Sequence, residues 1–206
     1  MEQAYQTIRP EESAILLSGG MDSSALAYLQ RPKVGVFINY GQRAAEAEHR
    51  AATVIASELS MPLEVIQTAL SGLGTGIMAG AAQISVGTSP EWWPYRNQLL
   101  ITLCAMRVVA LGLKTILIGT VATDRLHGDN SIEFMKAMNS LLLTQEGSLS
   151  LATPARGLTT VELVRKAEMP MSAVAWTHSC HISIYPCGRC RGCAKRQQAL
   201  DELARG

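Results

Sequence analysis

The sequence predicts an α/β domain in which a parallel β-sheet carries helices on both faces. Short apolar runs rich in β-branched residues alternate along the chain with longer segments of helical pattern. The apolar content of 48% is that of a globular protein, and 206 residues suffice for one well-buried domain but are few for two. We therefore expect a single domain over residues 1–206, with residues 178–206 as its C-terminal part.

The first third of the chain predicts three strands and two helices. The apolar run at 13–17 ends in two glycines, as expected of a buried parallel strand that leads into a tight turn. The segment 23–30 has a helical pattern. The runs 34–39 and 63–67 are predicted strands, and the segment 44–59 between them is a predicted helix.

A long loop rich in Gly, Ser and Thr is predicted at 68–91, and loops of this length are usually functional or mobile. A helix follows at 94–111, with Pro94 at its favoured place near the start. A fourth strand at 115–119 leads into a polar loop at 120–130. The remaining predicted elements are a helix at 131–142, a strand near Leu151, a helix at 160–167 and a final helix from Ala194.

Charge and composition favour small-molecule chemistry. The net charge is +1, from 18 basic and 17 acidic residues, which offers no electrostatic footprint for nucleic acid or an anionic membrane. Uninterrupted apolar windows of membrane-spanning length are absent from the sequence. The first thirteen residues lack the basic and apolar regions of a secretory signal. We therefore expect a cytoplasmic protein without nucleic-acid or membrane partners.

Three polar segments follow predicted strands, at Ser18–Ser24, Tyr40–Arg43 and Thr120–Asn130. Ligands of open parallel sheets bind at the carboxyl ends of the strands. The sequence therefore predicts a binding site at that edge of the sheet.

The first of these segments, residues 18–24, is a candidate phosphate loop. Its two glycines allow a sharp turn, so that the free N–H groups and the positive dipole end of the next helix can face an anion. Ser18, Ser23 and Ser24 add hydroxyl groups, and Asp22 can hold Mg²⁺ or cap the helix. An ordinary strand–turn–helix remains the alternative. The segment matches neither the Walker nor the dinucleotide-binding pattern.

The pattern Ser-Gly-Gly-x-Asp-Ser directly after a buried N-terminal strand resembles the loop of the ATP-pyrophosphatase (PP-loop) superfamily. That resemblance implies a three-layer α/β sandwich of the adenine nucleotide alpha-hydrolase type. It also implies cleavage of ATP between its α and β phosphates, with Mg²⁺ and transfer of AMP to the substrate. The residues that it implies around the phosphates are Ser18, Gly19, Gly20, Met21, Asp22, Ser23 and Ser24.

Four of the five cysteines crowd into fourteen residues, which favours metal ligation in a reducing compartment over a disulfide scaffold. Tetrahedral Zn²⁺ takes four thiolates, and a site with four protein ligands is structural. His178 and His181 flank the first cysteine and are alternative ligands, and Cys104 is expected in the core. The cysteine cluster, predicted to bind Zn²⁺, is Cys180, Cys187, Cys190 and Cys193.

The phosphate loop and the cysteine cluster together resemble the 7-cyano-7-deazaguanine synthase family, over nearly the whole chain. Further marks of the resemblance are Tyr40-Gly-Gln-Arg43, Pro94-x-Arg96-Asn97, Gly119, Asp124, Glu133-Phe134, Pro154, Gly157-Leu158 and Ser179. The resemblance implies that ATP adenylates 7-carboxy-7-deazaguanine and that ammonia displaces AMP to give an amide. A second ATP then activates the amide for dehydration to the nitrile. It also implies a homodimer.

The resemblance further assigns roles at the cleft. The catalytic candidates are Ser18, Asp22, Ser23, Arg96 and Asp124, and nucleotide-binding candidates beyond the loop are Tyr40, Gln42, Arg43, Asn97 and Gly119. Arg43 and Arg96 have the guanidinium geometry that fits phosphate or carboxylate, with surface ion pairs as the alternative. Asn97 and Asp124 suit a guanine-like edge, although Asp124 can also cap a turn.

Aromatic side chains precede the Pro-x-Arg-Asn segment. Trp92 and Trp93 can stack on a heterocycle or pack in the core. The sequence leaves both uses open.

The chain departs from the family pattern at two places. The segment after Asp124 is short and has Asn130 where the family usually has cysteine, and Thr160 stands where the family tends to have lysine. Arg156 or Lys166 can supply the missing positive charge. These departures leave two alternatives open, namely transfer of the activated carboxyl to another amine, including one on a protein, and a non-catalytic nucleotide-binding subunit. Formation of thiolated or lysidine-modified tRNA is disfavoured by the charge of +1.

Overall fold

A five-stranded parallel sheet lies at the centre of the computed structural model, which describes residues 8–87, 89–124 and 127–205. Its spatial strand order is β3-β2-β1-β4-β5, and each neighbouring pair is parallel. The predicted fold class is confirmed. The strands are β1 (Ser13–Leu16), β2 (Val34–Asn39), β3 (Leu63–Gln67), β4 (Thr115–Leu117) and β5 (Ser150–Ala152).

Helices connect the strands and cover both faces of the sheet. They are α1 (Met21–Gln30), α2 (Ala45–Glu58), α3 (Gly76–Ala79), α4 (Arg96–Ala110), α5 (Ile132–Leu143), α6 (Thr160–Lys166), α7 (Met171–Trp176) and α8 (Arg191–Ala204). The sequence did not predict α3, which lies inside the expected loop, or α7. Pro94 lies just before α4 because Tyr95, with a φ of 54°, occupies the N-cap.

Alternation along the strands sends successive side chains to opposite faces, which builds two apolar cores. Ile15 and Leu117 pack in one core with α1, α2, α6, α7 and α8, whereas Ala14 and Ile116 pack in the other with α4 and α5. The sheet is therefore the middle of three layers. Cys104 is fully buried in the second core. Within the described ranges, none of the helices has the length and apolar character needed to cross a membrane.

The strand order reverses next to β1, because the chain first builds β2 and β3 on one side and then β4 and β5 on the other. A crevice forms at such a switch point, outside the carboxyl ends of the strands. The segments that follow β1 and β4 therefore lie side by side.

Close packing fixes the turn between β1 and α1. Gly19 has a φ of 73°, and a Cβ there would lie 2.4 Å from the carbonyl oxygen of Glu48 in α2. On the other side, a Cβ at Gly119 would lie 2.8 Å from Ser23 Cα. Only glycine permits this approach of the three backbones.

We expect Gly19→Ala to lower the free energy of unfolding by at least about 2 kcal/mol, since it combines a left-handed backbone with a backbone clash. Urea denaturation measures this change. The matched control is Gly72→Ala, where an added Cβ meets nothing within 4 Å; its effect should stay within about 0.5 kcal/mol. Equal stability of the two variants would contradict the packing of the turn.

Candidate active site

A cleft of about 340 Å³ opens at the carboxyl ends of β1, β2 and β4. Residues from all three predicted polar segments line it, including Ser18, Tyr40 and Thr120. Arg125 and Leu126, in the third segment, lie outside the described residues. The C-terminal part of the chain completes the wall with residues that precede and follow the cysteine cluster, such as His178 and Lys195.

The start of α1 presents an anion site. Gly20 occupies the N-cap, and no side chain in the described ranges caps the first turn. Ser18 Oγ lies 3.0 Å from Ser23 Oγ and accepts from the Gly20 N–H at 3.4 Å. Free N–H groups at the positive end of a helix dipole favour phosphate.

Asp22 and Asp124, both candidate catalytic residues, contact the same lysine. Lys195 Nζ lies 2.9 Å from Asp22 Oδ2 and 2.9 Å from Asp124 Oδ1. Burial raises the pKa of Asp22, and the positive charge of Lys195 opposes that rise. Asp22 Oδ1 is buried and has no hydrogen-bond partner among the described residues. A buried carboxylate oxygen that lacks a donor, beside a second carboxylate, fits a Mg²⁺ ligand set.

Asp124 also accepts a hydrogen bond from the Val121 N–H at 3.3 Å, so it closes a turn as well as facing the cleft. Asn97 lines the cleft, but its side-chain amide donates to the Asp129 carbonyl and to Asn130 Oδ1, at 3.2 and 2.8 Å. Asn97 thereby fixes the loop before α5.

The turn after β2 is held by a buried polar network. Gln42 Oε1 accepts from the Tyr40 N–H at 2.9 Å, and Gln42 Nε2 donates to Glu48 Oε2 at 2.7 Å. Burial raises the pKa of Glu48, and Gln42 and then Arg96 oppose the rise. Arg96 lines the cleft, with its Nη1 3.0 Å from Met78 Sδ.

Some candidates lie beside the cleft rather than in its wall. Gly19 and Ser24 are the buried members of the phosphate loop, and Arg43 is exposed next to Gly80. Trp93 is buried in the second core, edge-on to the Tyr40 ring with centroids 4.9 Å apart. Neither tryptophan is part of the described cleft wall.

Arg156 and Lys166 do not replace the missing lysine. Arg156 Nη2 donates to the Asn130 carbonyl, and Lys166 is exposed at the far end of α6 from Thr160. Neither belongs to the described cleft wall. The positions of Arg156 and Lys166 therefore give no support to the expectation that one of them supplies the missing positive charge.

Sequence reasoning also missed a charged group at the cleft. Glu91 is buried, and its Oε1 lies 3.3 Å from Arg191 Nη1. Burial raises the pKa of Glu91, but its own backbone N–H, His181 and Arg191 together lower it by more. The net pKa is therefore lowered, and the carboxylate is favoured. Burial lowers the pKa of His181 to about 4. Glu91 lies about 100 positions before Arg191 and belongs to no local motif, so the sequence pattern gave no signal for this pair.

The cysteine cluster is assembled as predicted, with its four sulfur atoms all within 4.8 Å of one another. Cys187 Sγ lies 3.8 Å from Cys193 Sγ, and Cys190 Sγ lies 4.0 Å from Cys180 Sγ. Tetrahedral zinc with Zn–S bonds of about 2.3 Å requires S···S edges of about 3.8 Å. The cluster could therefore bind zinc.

Backbone N–H groups support the thiolates of this cluster. Cys187 Sγ accepts from the Cys190 N–H at 3.4 Å, and Cys190 Sγ accepts from the Cys193 N–H at 3.4 Å. Backbone N–H groups, that of Arg189 foremost, lower the pKa of Cys187 to about 6. Such outer contacts orient ligands and stabilise their charged form.

Comparison with known proteins identifies the family. The family model described as "Queuosine biosynthesis protein QueC" matches residues 12–204. The chain belongs to this family. It is accordingly an enzyme of the QueC family.

Curated relatives match over most of their length. One is the 7-cyano-7-deazaguanine synthase of Methanosphaerula palustris, 31% identical over 211 residues, which cover 93% of this chain and 95% of the relative. Another is 7-cyano-7-deazaguanine synthase 1 of Desulfitobacterium hafniense, 26% identical over 199 residues and 90% of each chain. These relatives support a function in queuosine synthesis.

A solved structure, that of NMN synthetase from Francisella tularensis, matches with a TM-score of 0.49 and 14% identity over 80% of this chain and 64% of that chain. A likeness at this level supports no conclusion about function.

We expect the purified chain to contain about one zinc ion, measured by atomic emission, in line with a four-thiolate site. Cys190→Ser should remove most of the zinc and lower the Tm, since metal binding contributes directly to folding. Cys104→Ala is the matched control, because it alters a buried cysteine outside the cluster and should retain zinc. Retention of zinc by Cys190→Ser would argue against this ligand set.

Proposed function

We propose that this enzyme adenylates 7-carboxy-7-deazaguanine with ATP and converts it with ammonia to 7-cyano-7-deazaguanine. The observation that carries the proposal is the uncapped start of α1 facing the same cleft as Asp22 and Asp124. The names of the relatives supply the product, and the cleft supplies groups suited to nucleotidyl transfer.

The chemistry needs a better leaving group than a carboxylate oxygen. Attack of the substrate carboxylate on the α-phosphate of ATP forms an acyl adenylate and releases pyrophosphate. Ammonia then displaces AMP and leaves an amide. Attack of the amide oxygen on the α-phosphate of a second ATP releases pyrophosphate and gives an O-adenylated imidate. Loss of AMP and of both protons of the amide nitrogen then leaves the nitrile.

The residues of the chain contribute position and charge to these steps. The N–H groups of the phosphate loop hold phosphate oxygens, and Arg96 faces the developing negative charge across the cleft. Asp22, through its unpartnered Oδ1, would hold Mg²⁺, which supplies charge neutralisation at the phosphates when bound. The apolar wall, which includes Val36, Ile38 and Ile118, suits a purine ring.

Glu91 suits the deazaguanine base. A buried carboxylate accepts well from the adjacent ring N–H and exocyclic amino group of a guanine edge. The backbone N–H of Glu91 and then Arg191 lower the pKa of this carboxyl, Arg191 contacts its Oε1, and Glu91 also lines the cleft. Recognition of the base by this carboxylate is part of the proposal.

The decisive assay incubates the enzyme with Mg·ATP, ammonia and 7-carboxy-7-deazaguanine and measures AMP together with product mass. We expect acid-dependent AMP and the nitrile mass. Asp22→Asn should reduce the rate at least about tenfold, as losses around a bound metal commonly do. Glu12→Gln, at a site remote from the cleft, is the control. Absence of AMP would refute the proposal, and a product that stays an amide would refute the nitrile step.

Glu91→Gln should raise the KM for the deazapurine acid by about tenfold or more, because a charge-assisted hydrogen bond is lost. The KM for ATP should change little. Steady-state kinetics with each substrate varied in turn measures both. An equal rise in both constants would contradict a role confined to the base.

A further inference from the structure

Lys195 is the one side chain in the described cleft that contacts both Asp22 and Asp124. The two distances from its Nζ are 2.9 Å each, to Asp22 Oδ2 and Asp124 Oδ1. The lysine is part-buried, with 34% of its side chain exposed, and the carboxylates are 20% and 27% exposed. Charges in such partly desolvated positions interact more strongly than surface pairs.

Position 160 faces the same carboxyl group from another helix. Thr160 is the first residue of α6, and its buried, uncharged side chain lies close enough to Asp22 to lower the pKa of that carboxyl, although its Oγ1 has no hydrogen-bond partner among the described residues. Side chains from α6 and α8 therefore converge on one carboxylate, and of these two helices α8 supplies the positive charge.

A nucleotide in this cleft brings phosphate oxygens towards two carboxylates. Uncompensated, Asp22 and Asp124 would repel them. An ammonium group has three N–H donors, and the two carboxylates occupy two. Among the described residues the third donor has no partner, so it can meet a phosphate oxygen without loss of either contact.

The cysteine cluster determines where this ammonium group lies. Cys190 is the N-cap of α8. A Cβ at Gly192 would lie 1.8 Å from the Ser179 carbonyl oxygen, so the first turn of α8 packs directly against the residue that precedes Cys180. The His178 N–H in turn donates to the Gly19 carbonyl at 2.9 Å. The cluster thus anchors α8 to the phosphate loop.

We propose that Lys195 is the cation that meets the nucleotide phosphates, in the place that a lysine at position 160 would otherwise fill. The proposal rests on the proposed function for the identity of the anion. In this proposal the cysteine cluster positions α8, and α8 in turn positions the positive charge of Lys195 in the binding site.

Calorimetric titration of Mg·ATP without the deazapurine acid tests this inference separately from turnover. Lys195→Met should weaken binding by about 10- to 100-fold, the range for loss of a hydrogen bond between charged groups. Adding Thr160→Lys to that variant should restore most of the affinity, because the new amine reaches the same carboxylate. Lys136→Met, an exposed lysine on α5, should bind as the unaltered enzyme does.

Zinc content and Tm are measured for every variant. Unchanged affinity in Lys195→Met overturns the proposal, as does a loss that Thr160→Lys cannot reverse in a folded, zinc-loaded protein. If Thr160→Lys itself lowers the Tm, the comparison of Lys195→Met with Lys136→Met decides. An enzyme that binds Mg·ATP but forms no AMP would refute the proposed function and leave this comparison intact.

Discussion

The close approach of the β1–α1 turn to its neighbours is the constraint on which the site depends. The turn packs closely against α2 at Gly19 and against Gly119, which follows β4, so its backbone has little freedom. That fixed position aims the first N–H groups of α1 at the cleft and sets the direction of Asp22. Groups on other elements become useful only because this reference point does not move.

The charges of the cleft come from separate parts of the chain and neutralise one another. Asp22 and Asp124 share Lys195, and Glu91 pairs with Arg191. Partly buried carboxylates without such partners would favour protonation over charge. Because both cations come from α8, this helix sets the charge balance on two sides of the site.

The sequence predicted most of what depends on local pattern. Strand and helix periodicity located nearly every element within a few residues, and the spacing of the cysteines predicted their cluster. The helix α7 was missed because six residues carry little periodic signal. Lys195 was missed for a different reason, since its contact with Asp22 joins residues 173 positions apart and a lysine on an amphipathic helix has no distinguishing pattern. Arg43 shows the converse, because a matching motif did not bring its side chain into the described cleft wall.

The cysteine cluster solves a folding problem that also bears on the site. Between the end of α7 at Trp176 and the start of α8 at Arg191, the chain forms neither helix nor strand. Such a segment buries little apolar surface and would be poorly ordered on its own. Four thiolates on one ion would cross-link this segment and so reduce the conformational entropy that its ordering costs. His178 and Lys195 flank the cluster. The His178 N–H donates to the Gly19 carbonyl in the phosphate loop, and Lys195 contacts the Asp22 carboxylate, so ordering this segment also orders the cleft. A metal bound by the cluster, whose cysteines are not part of the described cleft wall, would therefore act on the site through the geometry that it imposes.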